Sequence, residues 1–254
     1  MFKLPPPVLD IQQVSLVKSD RQILSACDLQ LYPSEVLAIV GPSGAGKSSL
    51  LNILVGKDSP SECHLFKLKE HDIQRTDTHR IYQLRRQLMG YVAQDADKTL
   101  NLKLSAAANI AQRLFDLGLN SASDALSRAK ALSERLGLPL ERLDDSVATY
   151  SGGMRQRVQI AAAIVHEPEI LFLDEPTSAL DSVSQAEFID CLLDLKTERN
   201  LSMVFVTHDL RLVRLIADRV LVMDKGKVVS QAVIDRMLTE PEHPTAEALV
   251  KAMI

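Results

Sequence analysis

Gly41-Pro42-Ser43-Gly44-Ala45-Gly46-Lys47-Ser48 sets two glycines on either side of four residues and follows them with a lysine and a hydroxyl. That spacing suits a triphosphate. Glycines let the backbone curl until successive N–H groups point inward at one phosphate, as Gly41, Ser43, Gly44, Ala45, Gly46 and Ser49 would do around ATP. Lys47 then reaches the β and γ oxygens, and the Ser48 hydroxyl ligates Mg²⁺. A second stretch, Ile170-Leu171-Phe172-Leu173-Asp174-Glu175, is four apolar residues ending in two carboxylates. Asp174 is placed there to hold Mg²⁺, directly or through water, and Glu175 to polarise the water that attacks the γ-phosphate. The same pair also fits a helix N-cap ahead of Pro176, so the assignment leans on the phosphate loop being present.

Positioning these groups requires particular elements. Residues 36–40, Val-Leu-Ala-Ile-Val, predict a buried strand entering the loop, and 49–54 a helix leaving it with its positive N-terminus aimed at the phosphates. A Gly/Ser-rich turn without those flanks would carry the same letters and no chemistry. The apolar run 170–173 predicts a fully buried parallel strand whose end delivers the carboxylates to a sheet edge.

Ser151-Gly152-Gly153-Met154-Arg155-Gln156-Arg157 resembles the signature motif of ABC-type ATPases. Other family marks occur in the family's order: Gln94 in Tyr91-Val92-Ala93-Gln94, Ser178-Ala179-Leu180-Asp181, and His208 after Met203-Val204-Phe205-Val206-Thr207. The resemblance spans nearly the whole chain. It implies an α/β fold: a P-loop NTPase core with a mostly parallel sheet flanked by helices, an antiparallel β subdomain and an inserted α-helical subdomain. It implies a single domain over residues 1–254, with 1–94 and 151–254 forming the core and 95–150 the helical insert. Gln94 is then the residue that senses Mg²⁺ and the attacking water, and His208 the switch that touches the γ-phosphate. Two ATPase subunits are expected to meet head to tail, Ser151 and the N–H groups of Gly152 and Gly153 closing over ATP on the partner's loop. Ser-Gly-Gly before the helix predicted from Met154 onward makes this physically sensible, because a second helix N-terminus would face the γ-phosphate. Each mark also has an ordinary reading: Gln94 as a solvent-facing strand residue, His208 as a capping or core group. His166 is expected to favour the C-terminus of the signature helix as a cation.

Composition bounds the rest. At 254 residues, 46% apolar and net charge −4, the chain can bury a sizeable core and has no general attraction to nucleic acid. Cys27, Cys63 and Cys191 show neither disulfide nor metal spacing, which points to reduced thiols in a cytoplasm. No apolar signal core or membrane-length run stands in the sequence, so a cytoplasmic protein is expected, with peripheral attachment to the inner membrane as the alternative. With one phosphate loop and no internal repeat, a complete pair of sites calls for a second chain. Short strands are predicted at 11–14 and 29–31, and helices at 105–117 and 121–136 broken near Gly118.

Finer resemblance points in two directions. The stretch 105–114 and Arg142-Leu143-Asp144-Asp145 look like the ATPase associated with carbon–phosphorus lyase in phosphonate utilisation, whose partner would be a soluble lyase core. Residues 180–186 and the tail Pro241-Glu242-His243-Pro244-Thr245 resemble peptide and nickel importer ATPases, which dock on membrane permease subunits. A chromosome or repair ATPase would need a long coiled coil or a basic face, and the short 94–151 connection with the net negative charge argues against both. The chain also departs from the family. Lys18 stands where relatives carry an adenine-stacking aromatic, leaving Tyr32 or Phe2 as substitutes, and Ser34, Cys63 and Ala232 stand where turn glycines are common.

Overall fold

The computed structural model describes residues 5–178 and 180–253, so Phe2 and Ala179 lie outside the described residues. In chain order the elements are β1 (Leu9–Lys18), β2 (Arg21–Leu31), β3 (Val36–Val40), α1 (Lys47–Val55), β4 (Leu65–Leu68), β5 (His71–Asp72), α2 (Thr78–Leu88) and β6 (Met89–Val92). They continue with α3 (Ala106–Asp116), α4 (Ala122–Arg135), α5 (Gly152–Ile164), β7 (Ile170–Asp174), α6 (Ser182–Arg199) and β8 (Ser202–Val206). Then follow α7 (Leu210–Ile216), β9 (Arg219–Asp224), β10 (Lys227–Val233), α8 (Ile234–Thr239) and α9 (Pro244–Met253). A six-stranded sheet runs β10-β9-β3-β8-β7-β6, parallel except for the β10–β9 pair, and a four-stranded antiparallel sheet runs β2-β1-β4-β5.

Strands β3, β7, β8 and β9 of the large sheet are buried on both faces, which is why they read as apolar runs, whereas the edge strand β10 has no buried residue. Alternate residues go to opposite sides. Ala38, Leu171, Leu173, Met203, Phe205 and Val220 join the core made with the helices from α3 onward. Leu37, Ile39, Phe172, Val204, Val206 and Leu221 join the core shared with α1 and the antiparallel sheet. Gly90 in β6 allows α5 to lie close, since a Cβ there would sit 2.3 Å from the Ala163 carbonyl oxygen.

β1 and β2 are far longer than the segments predicted at 11–14 and 29–31. Buried positions on β1 fall at Leu9, Ile11, Val14 and Leu16, and on β2 at Leu24, Cys27, Leu29 and Leu31. Each series slips by one. The slips coincide with register shifts on either side of the Val14–Cys27 pair and with left-handed Gln13 (φ 54°) and Ala26 (φ 50°). Such bulges break a strict period of two. Helices α3 and α4 lie where 105–117 and 121–136 were expected, because Ser105 and Ser121 cap them by accepting from Ala108 N–H and Asp124 N–H. Of the presumed turn positions, Ser34 is left-handed (φ 58°), but Ala232 lies within β10 opposite Val220.

Candidate functional site

β3, buried at all five positions, sits at the middle of the large sheet and hands its carboxyl end to the phosphate loop. Gly41 must be glycine: at φ 153° an added Cβ would lie 2.2 Å from the Met223 carbonyl oxygen. Gly46 is the α1 N-cap at φ 101° and offers no side chain to the helix. The first N–H groups of α1 therefore lack a side-chain cap and are free to bind an anion. Lys47, only 7% exposed, donates from Nζ to the carbonyls of Gly41 (2.8 Å) and Pro42 (3.0 Å). Burial lowers its pKa, and the carboxylates of Glu175 and Asp174 pull it back up. Ile23, residues 43–49, Glu175 and His208 line a pocket of about 540 Å³. A larger cleft of about 850 Å³, between α2, β6, α3 and α5, contains none of the phosphate-loop residues.

Register explains the meeting at the pocket's edge. Val92 pairs with Leu173, and Leu173 with Phe205, so three neighbouring parallel strands end together. Gln94, Glu175 and His208 each emerge two residues or fewer beyond their strand. Glu175, on the central one, is flanked by the other two: Gln94 Nε2 donates to its Oε2 at 3.3 Å, and His208 Nδ1 lies 3.4 Å from the same oxygen. The chain turns sharply there, with Glu175 at φ 43° and its N–H bonded to the Val206 carbonyl at 2.9 Å. A left-handed non-glycine residue stores backbone strain of about 1–3 kcal/mol, a feature that clusters at functional sites. Asp174 Oδ1 accepts from Ser48 Oγ at 3.4 Å. Burial raises the Asp174 pKa, Ser48 opposes the shift, and Glu175 adds to it.

Two residues to which no motif assigns a role stand behind Asp174. Tyr91 on β6 pairs with Phe172, whose side chain shares a sheet face with Asp174. Burial first, and then the Asp174 carboxylate, push the Tyr91 phenol up to about 12. Lys57 Nζ lies 3.7 Å from the Tyr91 ring centroid; burial lowers its pKa and Asp174 raises it. No local sequence signal could have found either one as a neighbour of Asp174: strand register brings Tyr91 there, and the end of α1 brings Lys57.

Among the described residues no group of three His, Cys, Asp or Glu converges on a metal position. The hard-oxygen pair Ser48–Asp174 nonetheless suits Mg²⁺, which is held by one or two carboxylates plus substrate phosphates. Gln94 is turned toward Glu175 rather than toward that pair.

Ser151 caps α5, its Oγ accepting from Met154 N–H at 3.3 Å. Ser151 and Gly152 are exposed, and Ser151, Gly152 and Gly153 do not line the phosphate-loop pocket. Lys18 does not line it either: it closes β1 and pairs with Asp58 at 2.7 Å. Tyr32 is also elsewhere, donating to Gln30 Oε1 at 3.0 Å, and Ile23 supplies the pocket's apolar wall. The expectation for His166 is corrected. Its Nε2 faces the Met89 carbonyl at 3.1 Å and burial, then Arg113, depress its pKa to about 4, so it is neutral at pH 7 and offers no charge to the helix.

Residues 24–178 match the family described as ABC transporter. The chain is 38% identical over 250 residues, 98% of each chain, to the Escherichia coli (strain K12) protein named "Putative phosphonates utilization ATP-binding protein PhnK". It is 31% identical to the Lactococcus lactis subsp. cremoris (strain SK11) oligopeptide transport ATP-binding protein OppD, covering 96% of this chain and 75% of that one. Among solved structures, the MJ0796 ABC transporter cassette superposes with a TM-score of 0.81 at 28% identity, covering 89% of this chain and 98% of that one. MJ0796 is seen as a dimer and in a post-hydrolysis state with ADP and Pi. On this match and the geometry of the pocket, the chain belongs to the ABC transporter family, as its ATP-binding, ATP-hydrolysing subunit.

Proposed function

We propose that this subunit drives a phosphonate-utilisation system, either beside a carbon–phosphorus lyase or in uptake. The observation that carries the reading is length: the likeness to PhnK runs over 98% of both chains, whereas OppD extends well beyond the matched region. The importer reading is kept as the alternative because OppD also matches nearly all of this chain.

In the proposed mechanism, the free N–H groups at the start of α1 and residues 41–49 bind the ATP phosphates, and Lys47 exchanges its loop carbonyls for β and γ oxygens. Ser48 and Asp174, with Gln94, would hold Mg²⁺, which neutralises charge on the phosphates when bound. Glu175 takes the proton from the attacking water, oriented by Gln94 and His208. The Ser151-Gly152-Gly153 trio, with Ser151 and Gly152 exposed and Gly153 half-buried, serves the pocket of a second ATPase subunit, which fits its absence from the pocket of its own chain. We treat residues 1–94 and 151–254 as the ATPase core and 95–150 as the helical insert that meets the partner. Within its start, Leu100 and Ile110 are core, whereas Lys98, Asn101 and Lys103 are exposed; Lys98 pairs with Asp95 at 3.5 Å and Asn101 Oδ1 accepts from Lys103 N–H at 3.1 Å, contacts a docking partner would compete with.

No described helix is long and apolar enough to cross a membrane. The reading is tested by recovering tagged protein with its partners. A complex with lyase components that persists without detergent, and weakens when Lys98, Asn101 and Lys103 become Glu, is expected. Recovery only with hydrophobic subunits from detergent-extracted membranes would decide for the importer. For the chemistry, Glu175→Gln should lower turnover at least ~100-fold while ATP still binds. Turnover within about twofold of wild type would remove Glu175 from its role.

A further inference from the structure

Gln159 lies in the middle of α5 and is 2% exposed, although it carries a polar amide. Burying an amide is unfavourable unless it is hydrogen-bonded, so its partners are informative. Oriented by its hydrogen-bond network, the carboxamide oxygen accepts from Ala93 N–H at 2.9 Å and from Thr99 Oγ1 at 2.7 Å, and the nitrogen donates to the Ala93 carbonyl at 3.2 Å. One side chain thus grips both backbone groups of a single residue. The grip falls where the sheet stops, because the β6–β7 pairing ends at Val92–Leu173 and Ala93 is the next residue. Gln94, which contacts Glu175, follows immediately.

A second tie joins the same segments. Arg155 Nε, one turn before Gln159 on the same face of α5, pairs with Asp97 at 3.1 Å. Ser151, a further turn back, opens that helix.

We propose that Gln159 is a positioning residue for ATP hydrolysis: by replacing the missing strand partner of Ala93 it fixes the backbone from which Gln94 reaches Glu175, and locks that loop to the helix carrying Ser151. The proposal rests on the reading of Gln94 as a participant in hydrolysis. Thr99 and Gln159 also line the 850 Å³ cleft, so a molecule entering that cleft would touch the clasp itself.

The test combines steady-state kinetics with amide hydrogen exchange. Gln159→Met keeps length and removes both polar atoms; it should lower kcat about tenfold with ATP affinity unchanged and speed exchange at Ala93 by about tenfold, leaving the other sheet amides as they were. In a Gln94→Ala background the same change should cost no further turnover, because the residue it positions is gone. An equal loss in both backgrounds, or unaltered exchange at Ala93 in a folded Gln159→Met protein, overturns the proposal. Should Gln159→Met fail to fold, Thr99→Val removes one bond of the clasp and should show a smaller kcat loss that likewise vanishes with Gln94→Ala; additive losses there overturn it too. Wild-type turnover in Gln94→Ala alone would overturn the role of Gln94 itself, and the proposal with it, while the exchange data would still report on the clasp separately.

Discussion

Acidification should weaken this protein through His166, and His166→Gln should remove that component. The ring stands just past α5 with Nε2 facing the Met89 carbonyl at 3.1 Å and Nδ1 buried without a partner. Burial, then the Arg113 charge, lower its pKa from 6.5 to about 4, against the Met89 bond that raises it. The unfolded chain takes up the proton near 6.5 and the folded chain only near 4. Between those values the unfolded state binds more protons, so stability falls as pH falls, is flat above the window and has lost the whole contribution below it. A window of about 2.5 units at about 1.4 kcal/mol each caps the effect at ~3.5 kcal/mol, and screening of a partly exposed ring leaves roughly 1–2 kcal/mol. Urea unfolding of wild type and His166→Gln at a series of pH values from 7 to 4 isolates this term, since the carboxylates and the other histidines are common to both. Gln retains an N–H for Met89. The stability gap between the two proteins should move by that amount in favour of the variant as pH falls. Parallel curves within about 0.3 kcal/mol across the series would refute the assignment of a buried neutral histidine.

Lys47→Ala should weaken ATP binding by about 2 kcal/mol, near thirtyfold in Kd by nucleotide titration, because it removes the buried cation proposed to reach the phosphates. Chelating divalent ions should stop hydrolysis, and Ser48→Ala should weaken Mn²⁺ binding in the presence of ATP at least about tenfold by electron paramagnetic resonance. ATP and GTP should bind within about fivefold of each other in competition titration, since Ile23 is the apolar wall of the pocket and no described aromatic lines it to supply base stacking. Gly90→Ala should lower thermal stability by about 1–3 kcal/mol, because its Cβ would be driven into the Ala163 carbonyl and part α5 from β6.

The local parts of the site are written in the chain itself. The phosphate loop follows from glycines that permit left-handed backbone beside an uncapped helix start, and α5 begins at Ser151 because its hydroxyl satisfies Met154 N–H. Doubly buried strands announce themselves as apolar runs, so residue types alone put Asp174 and Glu175 at a strand end. The long, bulged β1 and β2 are legible only in pieces, because each one-residue slip reverses which face the next residues occupy. Packing of distant segments settles the rest. Gln94, Glu175 and His208 are over a hundred residues apart from end to end and meet because three parallel strands finish in register. No motif assigns a role to Tyr91, Lys57 or Gln159; their parts depend on which neighbour a buried polar atom finds. His166 is neutral, not cationic, because burial and the Arg113 charge outweigh the Met89 hydrogen bond, and burial is a property of the packed chain rather than of any stretch of it.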